Sequence, residues 1–99
     1  MEYSQEDIVQ EGKAFVIKDE KGERVAEITW MEPEEGDFII ANHTWVDDSL
    51  RGQGIAGMLL DRLVKETDQA GKKIKALCPY VVGRFKKEPE KFDFINADK

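Results

Sequence analysis

Gly52, Gly54 and Gly57 stand at G-x-G-x-x-G spacing directly after Arg51 and open onto the apolar run Ile55 to Leu60. A turn without bulky side chains lets backbone N–H groups close on an anion, and a helix that starts there adds the positive end of its dipole. The segment is therefore suited to cradling a phosphate or pyrophosphate. Several phosphate-binding folds share this spacing, and the rest of the chain narrows them. A dinucleotide site of the Rossmann type needs an acidic residue about 20 positions on, at the end of the next strand. Leu77, Cys78 and Pro79 occupy that place. The Walker pattern G-x-x-x-x-G-K-[ST] and the kinase lysine and catalytic-loop motifs are absent. His43 and Cys78 are the single histidine and single cysteine, so no Cys/His metal cluster can be built and no metal site is expected. Ser4 and Ser49 form no credible serine triad without a further histidine.

The elements around the glycines follow from periodicity and turn chemistry. Lys13 to Lys18 and Arg24 to Met31 read as a hairpin about Asp19-Glu20-Lys21-Gly22, the second strand setting Ala26, Ile28 and Trp30 against Glu27 and Thr29. Beyond the turn Glu32 to Asp37, Phe38 to Val46 reads as a strand. Strict alternation gives it one face of Phe38, Ile40, Asn42, Thr44 and Val46 and another of Ile39, Ala41, His43 and Trp45. Both faces are mostly apolar, which places it inside the sheet. Gly54 to Ala70 is an amphipathic helix with Ala56, Leu59, Leu60, Leu63 and Thr67 on its inner side, and Gly71 stops it. Lys73 to Cys78 reads as the next strand, so strand, helix and strand form a right-handed parallel unit. Tyr80 to Glu88 is a short helix with Val81 and Phe85 inward, Pro89 interrupts it, and Phe92, Phe94 and Ile95 pack the tail onto the core. Residues 1–11 are either a capped turn from Ser4 or a loose end. The expected fold class is α+β (mixed α/β), a mixed sheet of about five strands with one long and one short helix, with residues 1–99 as a single domain.

With 40% apolar and 36% charged residues the chain has the balance of a soluble globular protein. Its 21 acidic residues against 15 basic give a net charge of −6, which disfavours nucleic acid and anionic membranes as partners. No apolar run approaches the roughly 20 residues of a membrane span, and the start Met1-Glu2-Tyr3-Ser4 lacks signal-peptide order. A cytoplasmic monomer is expected.

Arg51-x-x-Gly54-x-Ala56, set between a central strand and its helix, resembles the Gln/Arg-x-x-Gly-x-Gly/Ala signature of the GNAT (GCN5-related N-acetyltransferase) superfamily. The run from His43 to Ala56 and Cys78-Pro79-Tyr80 further resemble its short YjdJ-type members, and the resemblance covers the chain from about Gly12. It implies a reduced GNAT fold using acetyl-coenzyme A to acetylate an amine acceptor: a protein, a peptide or a polyamine-like molecule. Gly52 and the amides of Gln53, Gly54, Ile55, Ala56 and Gly57 would hold the pyrophosphate beside Arg51, and Thr44, Trp45 and Val46 would pair with the pantetheine arm and polarise the thioester carbonyl. The resemblance also implies that the two parallel strands splay at this point. Full-size members carry two helices between their first strands that help form the acceptor site; here the hairpin joins directly, leaving the acceptor half undefined.

Three side chains are candidates for the chemistry. Cys78 would lie near the acetyl group, either as a nucleophile that accepts it or as a small buried hydrophobe. His43, with an ordinary pKa of about 6.5, is either a base for the acceptor amine or for Cys78, or a packed, hydrogen-bonded histidine. Tyr80 would protonate the departing thiolate, as a tyrosine after this strand does in many larger family members, although its offset here is unusual. Among the basic residues of the last third, Arg84 and Lys87 are the candidates for the 3′-phosphate end of the cofactor, the others being solvated surface. Asp47-Asp48 either recruits an amine or forms the turn that positions Arg51. The alternative to an enzyme is an acyl-coenzyme A-binding module with little or no transferase activity.

Overall fold

The computed structural model describes residues 2–99. One five-stranded sheet runs in the order β1 (Val9–Gln10), β2 (Ala14–Lys18), β3 (Arg24–Met31), β4 (Phe38–Val46) and β5 (Lys73–Ala76). Neighbours are antiparallel except β4 and β5, which are parallel and joined across the sheet by α1 (Ile55–Gln69). α2 (Pro79–Lys87) and α3 (Pro89–Phe92) follow β5. The expected α+β architecture, with a mixed five-stranded sheet, is the one observed. Ser4 does open a turn: its N–H donates to the Asp7 carboxylate at 2.8 Å, and a short 3-10 segment follows over Gln5–Asp7. Val9 and Gln10 then pair with Val16 and Phe15 as an edge strand that the polar start of the chain did not signal.

Cross-strand pairs set the faces of the sheet. Phe15 lies opposite Ile28 and Ile17 opposite Ala26, all buried. Onto this face α1 lays Leu59, Leu60 and Leu63, and α2 adds Val81 and Phe85, in one cluster that includes Ile74, Phe92 and Ile95. Ile55, rather than Ala56, completes the inner row of α1, and Ala56 is only partly buried. Phe92 and Ile95 close the tail as expected; Phe94 instead is 50% exposed, because the Ile95 N–H turns back to the Phe92 carbonyl at 3.0 Å and leaves the intervening side chain outside. Among the described residues no helix is long and apolar enough to cross a membrane.

Two departures from the expected strands shape the site. Between β3 and β4 the register shifts, with His43 opposite Thr29 but Ala41 opposite Trp30, so Asn42 is an extra residue. A bulge of this kind inverts the alternation beyond it. Thr44 and Val46, opposite the buried Ile28 and Ala26, thus join Ile39 and Ala41 on the helix-covered face, while His43 and Trp45 turn to the other. Strict alternation along Phe38–Val46 is corrected accordingly. β5 also ends at Ala76 rather than Cys78: the Ala41 carbonyl accepts from both Leu77 N–H at 3.0 Å and Cys78 N–H at 2.9 Å, and Pro79 already belongs to α2.

Leu60 is fully buried, so Leu60→Ala removes packing without collapse of its surroundings and is expected to cost about 2–5 kcal/mol in urea unfolding. Leu77→Ala, at a side chain 61% exposed, should stay within about 0.5 kcal/mol of wild type. Acid should also destabilise. Hydrogen bonds from Lys18 and Arg24 hold the Glu11 carboxyl below its ordinary 4.5, and Arg84 does the same for Glu88. Carboxyls with depressed folded values stabilise the protein above 4.5 and lose that contribution as pH falls through the folded values. The urea midpoint should drop below pH 4.5, with a shallower slope in Glu11→Gln.

Candidate functional site

β4 and β5 pair from Phe38–Lys73 to Ala41–Ala76 and then part. His43 to Val46 continue along β3 with no strand among the described residues on their other side, leaving a wedge whose far wall is α2. The chain leaves β4 through Asp47, which accepts from Ser49 through N–H at 3.1 Å and Oγ at 2.5 Å and caps the 3-10 turn Asp48–Leu50. The Ser49 side chain and then its backbone N–H hold the Asp47 carboxyl below its ordinary range. Asp48 pairs with Arg51 at 3.0 Å. The acidic pair therefore forms the turn that positions Arg51.

Gly54 precedes α1 with φ 73° and ψ 18°, a left-handed conformation that non-glycine residues adopt only with strain. Among the described residues no side chain caps this helix, and its first backbone bond runs from Met58 N–H to the Gly54 carbonyl at 3.1 Å. The N–H groups of Ile55, Ala56 and Gly57 have no acceptor within the helix. They border a groove of about 450 Å³ between β4, α1 and α2.

The structure brings most of the expected binding residues to this groove. Thr44, Trp45 and Val46 form the β4 wall; Arg51, Gly52 and Gly54 come from the turn, Ile55, Ala56 and Gly57 from α1, and Tyr80 and Arg84 from α2. Leu50 was not expected there; it is buried beneath the turn, and its one signal in the sequence was an apolar side chain between Ser49 and Arg51. Gln53 borders a different hollow, with Glu2, Tyr3 and Ile55, and Lys87 is exposed at the end of α2.

The three chemical candidates separate. Cys78 is buried behind the wall, its Sγ donating to Thr44 Oγ1 at 3.4 Å. Tyr80 sits on the groove, where Arg84 Nη1 donates to its phenol oxygen at 2.7 Å. His43 lies on the opposite face of the sheet, its side chain 54% exposed, with Nε2 3.3 Å from Glu27 Oε2. Of the two roles expected for it, the packed one is not found, because the bulge at Asn42 carries it away from Ile39 and Ala41. Arg84 is also engaged by Glu88, a partner visible in sequence only as an i,i+4 spacing.

Residues 14–94 match the family model described as GCN5-related N-acetyl-transferase. Among solved structures, a GCN5-like protein from Staphylococcus aureus studied by NMR is 32% identical, with 89% of this chain and 85% of that one covered and a TM-score of 0.70. A GNAT family N-acetyltransferase from Escherichia coli, solved in complex with CoA, is 22% identical over 73% of this chain and 43% of its own, with a TM-score of 0.60. An acetyltransferase from Bacillus cereus is 21% identical over 72% and 54%, with a TM-score of 0.59. The last two share the fold. No curated protein matches the sequence. Because the family model spans most of the chain, from β2 to the segment after α3, this protein belongs to the GCN5-related N-acetyltransferase family.

Proposed function

We propose that the groove binds acetyl-coenzyme A and that the protein transfers the acetyl group from the thioester to an amine, directly or by way of Cys78. One observation carries this reading: the uncapped N-terminus of α1 and the unpaired side of β4 border the same groove. The first offers N–H groups to a pyrophosphate, and the second offers backbone partners to an extended amide-bearing arm. The Escherichia coli family member solved with CoA supports the cofactor.

Gly52, Gly54, Ile55, Ala56 and Gly57 with Arg51 hold the pyrophosphate, and Thr44 to Val46 meet the pantetheine and polarise the carbonyl as negative charge grows on its oxygen. Tyr80, on the opposite wall, protonates the sulfur that leaves. Cys78 stands behind Thr44 instead of on the groove, which favours direct attack by the amine over an acetyl-thiol intermediate. The acceptor is an amine of a protein, peptide or polyamine, and the net charge of −6 favours a cationic one. A second reading, an acyl-coenzyme A-binding module with little transferase activity, is favoured by His43, whose position on the far face withholds the one histidine from the groove.

Coenzyme A at a hundredfold excess over its dissociation constant is expected to stabilise the protein by about 2.7 kcal/mol in thermal unfolding. Gly54→Ala should cost roughly 1–2 kcal/mol through its left-handed backbone and diminish the coenzyme A response. A flat response in the wild type would remove the cofactor reading. A panel of amines followed by detection of free coenzyme A thiol then separates enzyme from binding module. Direct attack predicts turnover in Cys78→Ala and no acetyl adduct in intact mass spectra; an adduct that disappears in Cys78→Ala would establish the thiol route.

A further inference from the structure

We propose that Arg84 and Glu88 are positioning residues that aim the Tyr80 hydroxyl at the departing thiolate, and that residue 57 is glycine so that Arg84 can reach Tyr80. The proposal rests on the acetyl-transfer reading above. Tyr80, Arg84 and Glu88 follow one another at i,i+4 intervals from the start of α2. Arg84 Nη1 donates to the Tyr80 oxygen at 2.7 Å and Nε donates to Glu88 Oε2 at 2.6 Å. The guanidinium carbon lies 5.4 Å from the Phe92 ring centre and 5.8 Å from that of Tyr80, so packing as well as hydrogen bonding orients it.

A guanidinium has donors only, so the phenol oxygen is the acceptor in this bond and its own O–H stays free to donate elsewhere. Tyr80 and Arg84 both border the groove, which makes the groove the direction open to that proton. The charge on Arg84 is balanced by Glu88, whose carboxyl Arg84 holds below its ordinary value and hence ionised at neutral pH. Two of the three guanidinium nitrogens, Nε and Nη1, are thus engaged within and at the end of α2, so we assign Arg84 to Tyr80 rather than to the 3′-phosphate that its place among the basic residues implied.

Gly57 separates from its two companions on steric grounds. A Cβ at Gly52 or Gly54 would meet nothing within 4 Å, and both residues are glycine for their positive φ. At Gly57 φ is not positive, but a Cβ would stand 3.2 Å from Arg84 Nη1 and 3.7 Å from the Tyr80 oxygen. A methyl group there presses on the flexible end of Arg84 and leaves the fold alone.

In the step served by this arrangement the amine nitrogen attacks the thioester carbon, a C–N bond forms, and the C–S bond breaks with its electron pair on sulfur. Tyr80 gives its proton to that sulfur. The proton shed by nitrogen returns through solvent to the phenolate, so amine and thioester become amide and thiol.

The test compares Tyr80→Phe, Arg84→Met, Glu88→Gln and Gly57→Ala. Tyr80→Phe should lower kcat on the order of 10²-fold and Arg84→Met roughly tenfold, both with KM for acetyl-coenzyme A nearly unchanged, and Gly57→Ala should lower kcat in the same direction as Arg84→Met. These losses should shrink toward unity with an aryl thioacetate donor, whose thiolate departs without a proton, whereas general structural damage would affect both donors alike. Independently of turnover, the Arg84 Nε–H signal in NMR should be protected from exchange in the wild type and lose that protection in Glu88→Gln. Glu88 should titrate closer to 4.5 in Arg84→Met. If Arg84→Met weakens coenzyme A binding tenfold or so and dephospho-coenzyme A abolishes the difference, Arg84 is a phosphate ligand and the proposal falls. Full kcat in Tyr80→Phe or Arg84→Met overturns the relay alone, while a wild type without turnover on any amine overturns the acetyl-transfer reading beneath it.

Discussion

A single carbonyl marks the point where β4 and β5 part, and the groove depends on that parting. The oxygen of Ala41 accepts the N–H groups of both Leu77 and Cys78, and a strand whose successive amides converge on one oxygen cannot continue in parallel register. β5 stops at Ala76, Pro79 supplies a first helical residue that needs no N–H partner, and α2 swings away. β4 meanwhile runs on to Val46, held by β3. The result is a backbone edge inside the body of the sheet that no strand of the described residues pairs. Polar main-chain groups in such a place require water or a ligand as partners.

The bulge at Asn42 decides which side chains accompany that edge. Without the extra residue His43 would share the helix-covered face with Ala41, and Thr44 would face the open one. With it, Thr44 meets the thiol of Cys78 and His43 meets Glu27 across the sheet. One inserted residue therefore exchanges a titratable group for a hydroxyl beside the wedge.

Magnitudes identify what an anion in the groove would feel. A hydrogen bond to a charged group contributes about 1.5–3 kcal/mol, and a helix dipole at an exposed end about 0.3–1 kcal/mol. Specific N–H contacts from the first turn of α1 therefore outweigh the dipole. Arg51 pairs with Asp48 at 3.0 Å, but the two side chains are 71% and 90% exposed, and such a surface pair contributes about 0–1 kcal/mol. It does not restrain Arg51 from turning to a phosphate.

The sequence by itself determined the long strands, the amphipathic helix and the turn Arg51 to Gly57, because each depends on periodicity or glycine chemistry within a few residues. Arg24–Met31 and Phe38–Val46 coincide with the expected strands, and Ile55–Gln69 with the expected helix to within one residue at each end. The family resemblance rested on the same local features. Only the tertiary structure decided the bulge, the early end of β5 and the different surroundings of the three glycines. Each arises from a partner distant in the chain: Trp30 and Thr29 set the register of β4, Ala41 ends β5, and a Cβ at residue 57 would stand 3.2 Å from Arg84 Nη1. Alternation cannot show where a strand gains a residue, and spacing cannot tell a glycine with a positive φ from one that lies beneath another helix's side chain.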